Sequence, residues 1–329
     1  MKKRLLGKTG FEISEIGLGT WQVGGKWGSV FNHDNADQIL NSAIDNGVNF
    51  IDTADVYNDG ESEKAIGRLI RSRSERIYVT TKCGRKLSPH TDAAYQVKDL
   101  RKFVEDSLQK MGLETLDLIQ LHCPPTETYD RPEIFDLFTT LKQEGKILNL
   151  GVSVETIDEA LKAIEYENVT TIQIIFNMLR QRPAEHFFAE AAKKNIGIIA
   201  RVPLASGLLS GNFSISTKFG KDDHRSFNRK GEVFDKGETF SGIDYATGLE
   251  TVEEIKKLFP SDTDLAVTAL KWILMYQNVS CVIPGASKPS QVLANIKASE
   301  QPGLSSEQME AIKTIYQQNI WPDLSKEKW

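Results

Sequence analysis

Cysteine is scarce. The 329 residues hold three, Cys83, Cys123 and Cys281, with no CxxC pair and no secreted-type spacing, so neither a disulfide framework nor a zinc pattern is available. No HxH pair offers a zinc site either, and no metal is expected. A reducing, cytoplasmic setting is the simplest expectation. No apolar stretch approaches the roughly 18 residues of a membrane span. Lys8 interrupts the opening MKKRLLGKTGFEIS before a signal-peptide core can form. A basic excess is missing too: 40 Lys and Arg against 45 Asp and Glu leave a net charge of −5, the wrong sign for a chain that neutralises a nucleic-acid backbone. There is no low-complexity segment, no Pro/Gly/Ser linker and no close repeat, which predicts a single domain over residues 1–329.

What is present is alternation. Apolar residues make up 40% of the chain and charged residues 26%, ordinary for a globular protein. A chain of this size buries about three quarters of its unfolded surface without staples. Eight short apolar runs recur: 15–21, 48–54, 76–83, 116–122, 147–154, 171–177, 196–202 and 280–286. They are near-continuously apolar, as parallel strands covered on both faces should be. Between them, residues 35–46, 62–71, 95–110, 132–143, 156–165 and 184–194 carry apolar side chains three and four apart and predict helices. Eight strand–helix units predict a (β/α)8 barrel or a doubly wound sheet. Residues 3–14 read as a hairpin around Lys8-Thr9-Gly10, ahead of the first barrel strand. Residues 210–247 lack apolar periodicity and read as a long loop after strand seven, of the kind that serves as a lid or binding loop.

In a parallel barrel, function gathers at the C-terminal strand ends. Strand two ends in Asp52, with Tyr57 five residues on; strand three ends in Lys82 and strand four in His122. Tyrosine is a weak acid, with a reference pKa near 10, and a nearby lysine cation favours the tyrosinate and makes the phenol a better proton donor. Asp52 can balance a buried Lys82, and His122 can orient a substrate oxygen. The set suits proton donation to a carbonyl that is becoming an alkoxide, with hydride supplied by a bound cofactor. Cys83 and Cys123 sit beside Lys82 and His122, where strand alternation turns them to the opposite face, and that argues against a Cys–His nucleophile. Cys281 reads as core.

GLGTWQVGG (17–25) suggests a phosphate loop only superficially. The sixth position of a GxGxxG from Gly17 is Gln22 and no helix follows, so Gly17 and Gly19 are read as points of close backbone approach. IPGASKPSQVLANI (283–296) is the better anion site: strand eight ends at Pro284-Gly285, and Ser287 and Lys288 lead into a helix near Pro289. Ser287 read alone is equally a simple helix cap.

These pieces, with LGKTGFEISEIGLGTW, FIDTADVYNDGESEKAIGRLI, YVTTKCG, LDLIQLHCPP, GKILNLGVSV and PLASGLLSGNF, resemble the aldo-keto reductase superfamily over essentially the whole chain, in its bacterial type. The resemblance implies a (β/α)8 barrel closed at its base by an N-terminal hairpin and a catalytic tetrad of Asp52, Tyr57, Lys82 and His122. It also implies a nicotinamide near Gly19, Thr20, Trp21 and Asp52, its carboxamide held by Ser153 and Gln173. Arg201, Pro203, Leu204, Ser206, Gly207, Leu209 and Gly211 resemble the pyrophosphate loop and its approach. Gly285, Ser287, Lys288, Gln291 and Asn295 resemble the adenosine-phosphate segment. NADP(H) is the expected cofactor, with NAD(H) the alternative, because Gln291 stands where some relatives carry an arginine. Val154 stands where many relatives have Asn, and Arg201 where many stack an aromatic ring.

The expected function is NADPH-dependent reduction of a small aldehyde or ketone, in a monomer or homo-oligomer. Trp21, Trp27, Tyr57 and His122 are the expected substrate contacts, with Trp321 a further candidate for the mouth. The family's potassium-channel β-subunits hold NADP and regulate a partner, so the alternative is an NADP-binding regulatory subunit with little turnover.

Overall fold

The computed structural model describes residues 1–25 and 29–324. Strands β1 (Lys3–Leu5) and β2 (Glu12–Ser14) pair antiparallel, Lys3 opposite Ser14, and form the expected hairpin. Its turn passes through Gly7 at φ +51, where an added Cβ would lie 2.1 Å from the Gly197 nitrogen. Only glycine fits there. Leu6 and Ile13 bury themselves against Phe50, Leu118, Ile199, Cys281 and Ile283, so the hairpin plugs one end of the structure.

Eight parallel strands follow: β3 (Leu18–Gly19), β4 (Phe50–Asp52), β5 (Tyr78–Cys83), β6 (Leu116–His122), β7 (Ile147–Ser153), β8 (Val169–Ile175), β9 (Gly197–Arg201) and β10 (Val279–Val282). Each is hydrogen-bonded to the next. The ring closes between β10 and β3, where Gly17 N donates to Val282 O (2.8 Å), Val282 N to Glu15 O (3.0 Å) and Gly19 N to Pro284 O (3.1 Å). A Cβ on Gly19 would stand 2.9 Å from Ile283 O, so the seam depends on the close approach that Gly17 and Gly19 were expected to permit. The architecture is a (β/α)8 barrel, and each strand lies within or largely overlaps one of the eight apolar runs.

Around it pack α1 (His33–Asp45), α2 (Glu61–Ser72), α3 (Val97–Met111), α4 (Pro132–Gln143) and α5 (Ile157–Ala163). Their ends carry the expected chemistry. Asn32 caps α1 by accepting from Asn35 N, Thr156 and Glu159 form a capping box on α5, and Gly112 ends α3 in the left-handed conformation. The helix expected over 184–194 is instead two, α6 (Arg182–His186) and α7 (Phe188–Lys193). They meet at Phe187, whose φ of −110 departs from the regular helical value near −63°.

The stretch after β9 is a lid-like loop, but not a structureless one. It holds α8 (His224–Phe227), and its last residues open α9 (Tyr245–Lys256). Polar side chains shape it. Asn228 Oδ1 accepts from the Val233 and Phe234 nitrogens at 2.9 Å each, while Asn177 donates to Val202 O and Ser241 Oγ. Helices α10 (Leu265–Leu274), α11 (Pro289–Glu300), α12 (Ser306–Asn319) and α13 (Trp321–Leu324) complete the chain. Trp321 packs against Tyr316 and under Arg182, away from the mouth. Among the described residues, no helix is long and apolar enough to cross a membrane.

Candidate active site

The strand ends converge. Lys82 Nζ donates to Asp52 Oδ2 (2.7 Å) and Thr53 O (2.8 Å), and lies 3.4 Å from the Tyr57 hydroxyl. Asp52 Oδ1 accepts from Gln173 Nε2 at 2.7 Å, which ties the far side of the barrel to the same carboxylate. The His122 ring stands 6.1 Å from the Tyr57 ring at 83°. Tyr57 is presented by an unusual turn: Asn58, Asp59 and Gly60 follow it at φ 47, 54 and 88 before α2 begins. Two non-glycine residues in that region are a local strain that sets the direction of the phenol.

Burial decides the charge states. It pushes the Tyr57 phenol upward; Lys82 pulls the other way, as expected, but does not win. The phenol therefore stays protonated at neutral pH. Burial alone would lower Lys82, yet the Asp52 and Tyr57 partners together hold it above its ordinary value. His122 is driven well below the usual range by burial and then by Arg85, Lys82 and Arg201, so its imidazole is neutral. Its Nδ1 is buried with no partner.

These groups open into a cavity of about 1150 Å³, ample for a dinucleotide and a small second ligand. Gly19, Thr20, Trp21, Asp52, Tyr57, His122, Gln173 and Arg201 line it, as do Pro203, Leu204, Ser206, Gly207, Gly285, Ser287 and Gln291. Others of the expected set lie behind this wall. Lys82 is buried beneath Asp52 and Tyr57. Ser153 is buried with its Oγ 3.5 Å from Cys123 Sγ. Leu209 belongs to the core, and Gly211 faces Leu265 of α10. Asn295 Nδ2 donates to Gly285 O and braces the β10–α11 turn. Lys288 is the exposed residue before α11, and Ser287 does not cap that helix: its N and Oγ both donate to Gln291 Oε1. Trp27 lies outside the described residues.

The lid contributes residues that sequence reasoning missed. Trp21 meets His224 edge-on at 4.6 Å and Phe234 at 6.4 Å. Glu238 Oε1 sits 2.9 Å from Arg85 Nη1 and 3.3 Å from Arg201 Nη1, and Arg85 also faces Glu155 at 3.9 Å. Arg201 Nη2 donates to Val154 O at 3.0 Å. Cys123 corrects the alternation argument. Its φ of +48 ends the extended run, so the thiol turns into the cavity, 3.6 Å from Arg201 Nη2. Burial pushes that thiol up to about 12, and it is no nucleophile at neutral pH. Ligand atoms of Cys123, Glu155 and Glu238 lie within 4.8 Å of one another, but Glu238 is already held by the Arg85 and Arg201 guanidinium groups.

With this geometry in hand, a model of the aldo/keto reductase family matches residues 15–317. A glycerol dehydrogenase of Gluconobacter oxydans superposes with a TM-score of 0.77 at 29% identity, over 97% of this chain and 96% of its own. The holo form of an aldo-keto reductase from Bacillus halodurans does so with a TM-score of 0.76 at 26% identity, over 96% of each chain. The NADH-specific methylglyoxal reductase of Escherichia coli is 29% identical over 319 residues, 91% of this chain and 93% of its own.

Proposed function

The chain belongs to the aldo/keto reductase family, and from that premise we propose that it reduces a small aldehyde or ketone to the alcohol with NADPH, Tyr57 donating the proton. Members of this family use nicotinamide cofactors. The observation that carries the reading is the single ammonium of Lys82 held between Asp52 Oδ2 and the Tyr57 hydroxyl. A reduced nicotinamide, when bound, supplies hydride to the carbonyl carbon.

The chain's own groups do the rest. Tyr57 remains protonated through burial, so it has a proton to give. When that proton leaves, Lys82 stands next to the new negative charge and stabilises it without rearranging, because Asp52 and Thr53 O already fix its position. Neutral His122 orients the carbonyl oxygen. Thr20 and Gln173 would hold the nicotinamide end of the cofactor, and the turn around Ser206-Gly207 its pyrophosphate. The fit is favourable at Gly285, where an added Cβ would meet only Gly19 O at 3.8 Å, leaving the backbone open to a phosphate. Ser287, Lys288 and Gln291 are exposed beside it, and the Lys288 ammonium favours the extra phosphate of NADP over NAD.

The test is oxidation of NADPH, with NADH in parallel, against a panel of aldehydes. Tyr57→Phe should lose about a hundred- to ten-thousand-fold in turnover while still binding cofactor. Undiminished turnover in that variant would remove Tyr57 as the acid, and a preference for NADH would move the cofactor assignment to NAD.

A further inference from the structure

Arg85 lies three residues beyond Lys82 and lines the same cavity as Tyr57 and His122. Its partner Glu238, 2.9 Å from Arg85 Nη1, has a carboxylate oxygen within 4.8 Å of Sγ of Cys123, the residue that follows His122. Only one of the Arg85 nitrogens is engaged: Nη1 donates to Glu238, while Nε and Nη2 donate no hydrogen bond among the described residues. The Phe234 ring, 5.8 Å away, covers one side. Arg201 shares the same Glu238 carboxylate and turns its other end to Val154 O.

Arg85 and Arg201 both turn to the same oxygen of Glu238. Glu155 and Glu238 face each other across the two arginines. Burial and the Glu238 charge hold Glu155 protonated, while Arg85 and Arg201 keep Glu238 ionised. Two guanidinium groups therefore share one carboxylate. Lys82 and Asp52 cancel each other, and the other acids in the cavity wall are engaged elsewhere. Asp223 pairs with Arg225, Asp235 accepts from Gly237 N, and Glu159 closes the α5 capping box and accepts from Thr126. The Nε and Nη2 edge of Arg85, in the same cavity wall as Tyr57 and His122, is left without a carboxylate partner among the described residues.

We propose that Arg85 anchors a carboxylate on the substrate, so that the preferred substrate is an oxo acid rather than a neutral aldehyde or ketone. A guanidinium edge with two free N–H groups matches a carboxylate in forked geometry. The proposal rests on the reductase reading. The carbonyl carbon takes hydride from the reduced nicotinamide, the carbonyl oxygen takes the Tyr57 proton, and the carboxylate passes through unchanged.

The experiment compares 4-oxobutanoate with its methyl ester, which keeps the aldehyde and its spacing, adds one methyl group and removes the charge. In the unmodified enzyme, kcat/KM should favour the acid at least tenfold, chiefly through KM. Arg85→Met should bring the ratio near one, and Arg85→Lys should leave it between the two. Glu238→Gln frees more of the positive charge and should raise the ratio further. If Arg85 only tethered the lid, Arg85→Met and Glu238→Gln would both weaken acid and ester alike, and that result overturns the proposal. So does an unchanged ratio in Arg85→Met.

A binding arm needs no turnover: glutarate titrated into the unmodified protein should bind at least tenfold more tightly than to Arg85→Met. Equal or absent binding rejects the anion site. Arg85-dependent glutarate binding with neither aldehyde reduced would leave the anchor standing and remove the reductase reading instead.

Discussion

Asp55 lies two residues before Tyr57, buried, with neither carboxylate oxygen hydrogen-bonded. Burial, and then the nearby Glu63, push it up to about 7. The sign follows from which state resists ionisation. Unfolded, the group ionises near pH 4; folded, near 7. Stability is therefore lost as pH climbs between those values, and the whole cost, up to about 4 kcal/mol, stands above pH 7. Asp55→Asn keeps the shape and removes the charge. It should raise the melting temperature, and by more at pH 8 than at pH 5; equal gains at both would show that the charge is not the cause. Asp55 was not read as a special residue, whereas Asp52, Lys82 and His122 were, because each is a titratable group ending an apolar strand. Arg85 and Glu238 escaped for the opposite reason. They sit in segments with no periodicity, so nothing local marks them as neighbours.

Elements become legible when one repeating interaction builds them. The eight strands and α1 to α5 arise from apolar residues at strand or helix spacing, and they stand close to where that spacing predicts. The lid arises from single side chains such as Asn228 and Asn177, each satisfying particular backbone atoms, and it has no period to read. Contacts between elements are hidden in the same way. Gly67 in the middle of α2 is an unfavourable helix residue, by about 1 kcal/mol relative to alanine. The structure shows why it is there: an added Cβ would lie 2.2 Å from the carbonyl oxygen of Met111, the last residue of α3. Overpacking costs about 1–3 kcal/mol, and backbone yields less readily than a side chain. Gly67→Ala should therefore lower the urea midpoint despite better helix propensity. A raised midpoint would mean that α2 and α3 can slide apart freely.

At the scale of the molecule, the net charge of −5 says nothing about the mouth, where Arg85, Arg201 and Lys82 gather and where Lys288 marks the rim. The hairpin seals one end and the lid crosses the other, so chemistry and structural support occupy opposite ends of one barrel. This arrangement gives the inward turn of Cys123 a practical use. All three cysteines are buried thiols, and burial raises each of them. Cys83 and Cys281 are packed among core side chains and become reachable only when the barrel itself comes apart. Cys123 is covered by the mouth and its lid. A thiol-specific dye should thus label the native protein slowly and at Cys123 first, with the other two following only at the global unfolding rate, as peptide mapping over time would show. Simultaneous labelling of all three would mean that the mouth has no opening motion of its own. The chain thus carries a built-in clock for lid movement, readable without engineering a probe into it.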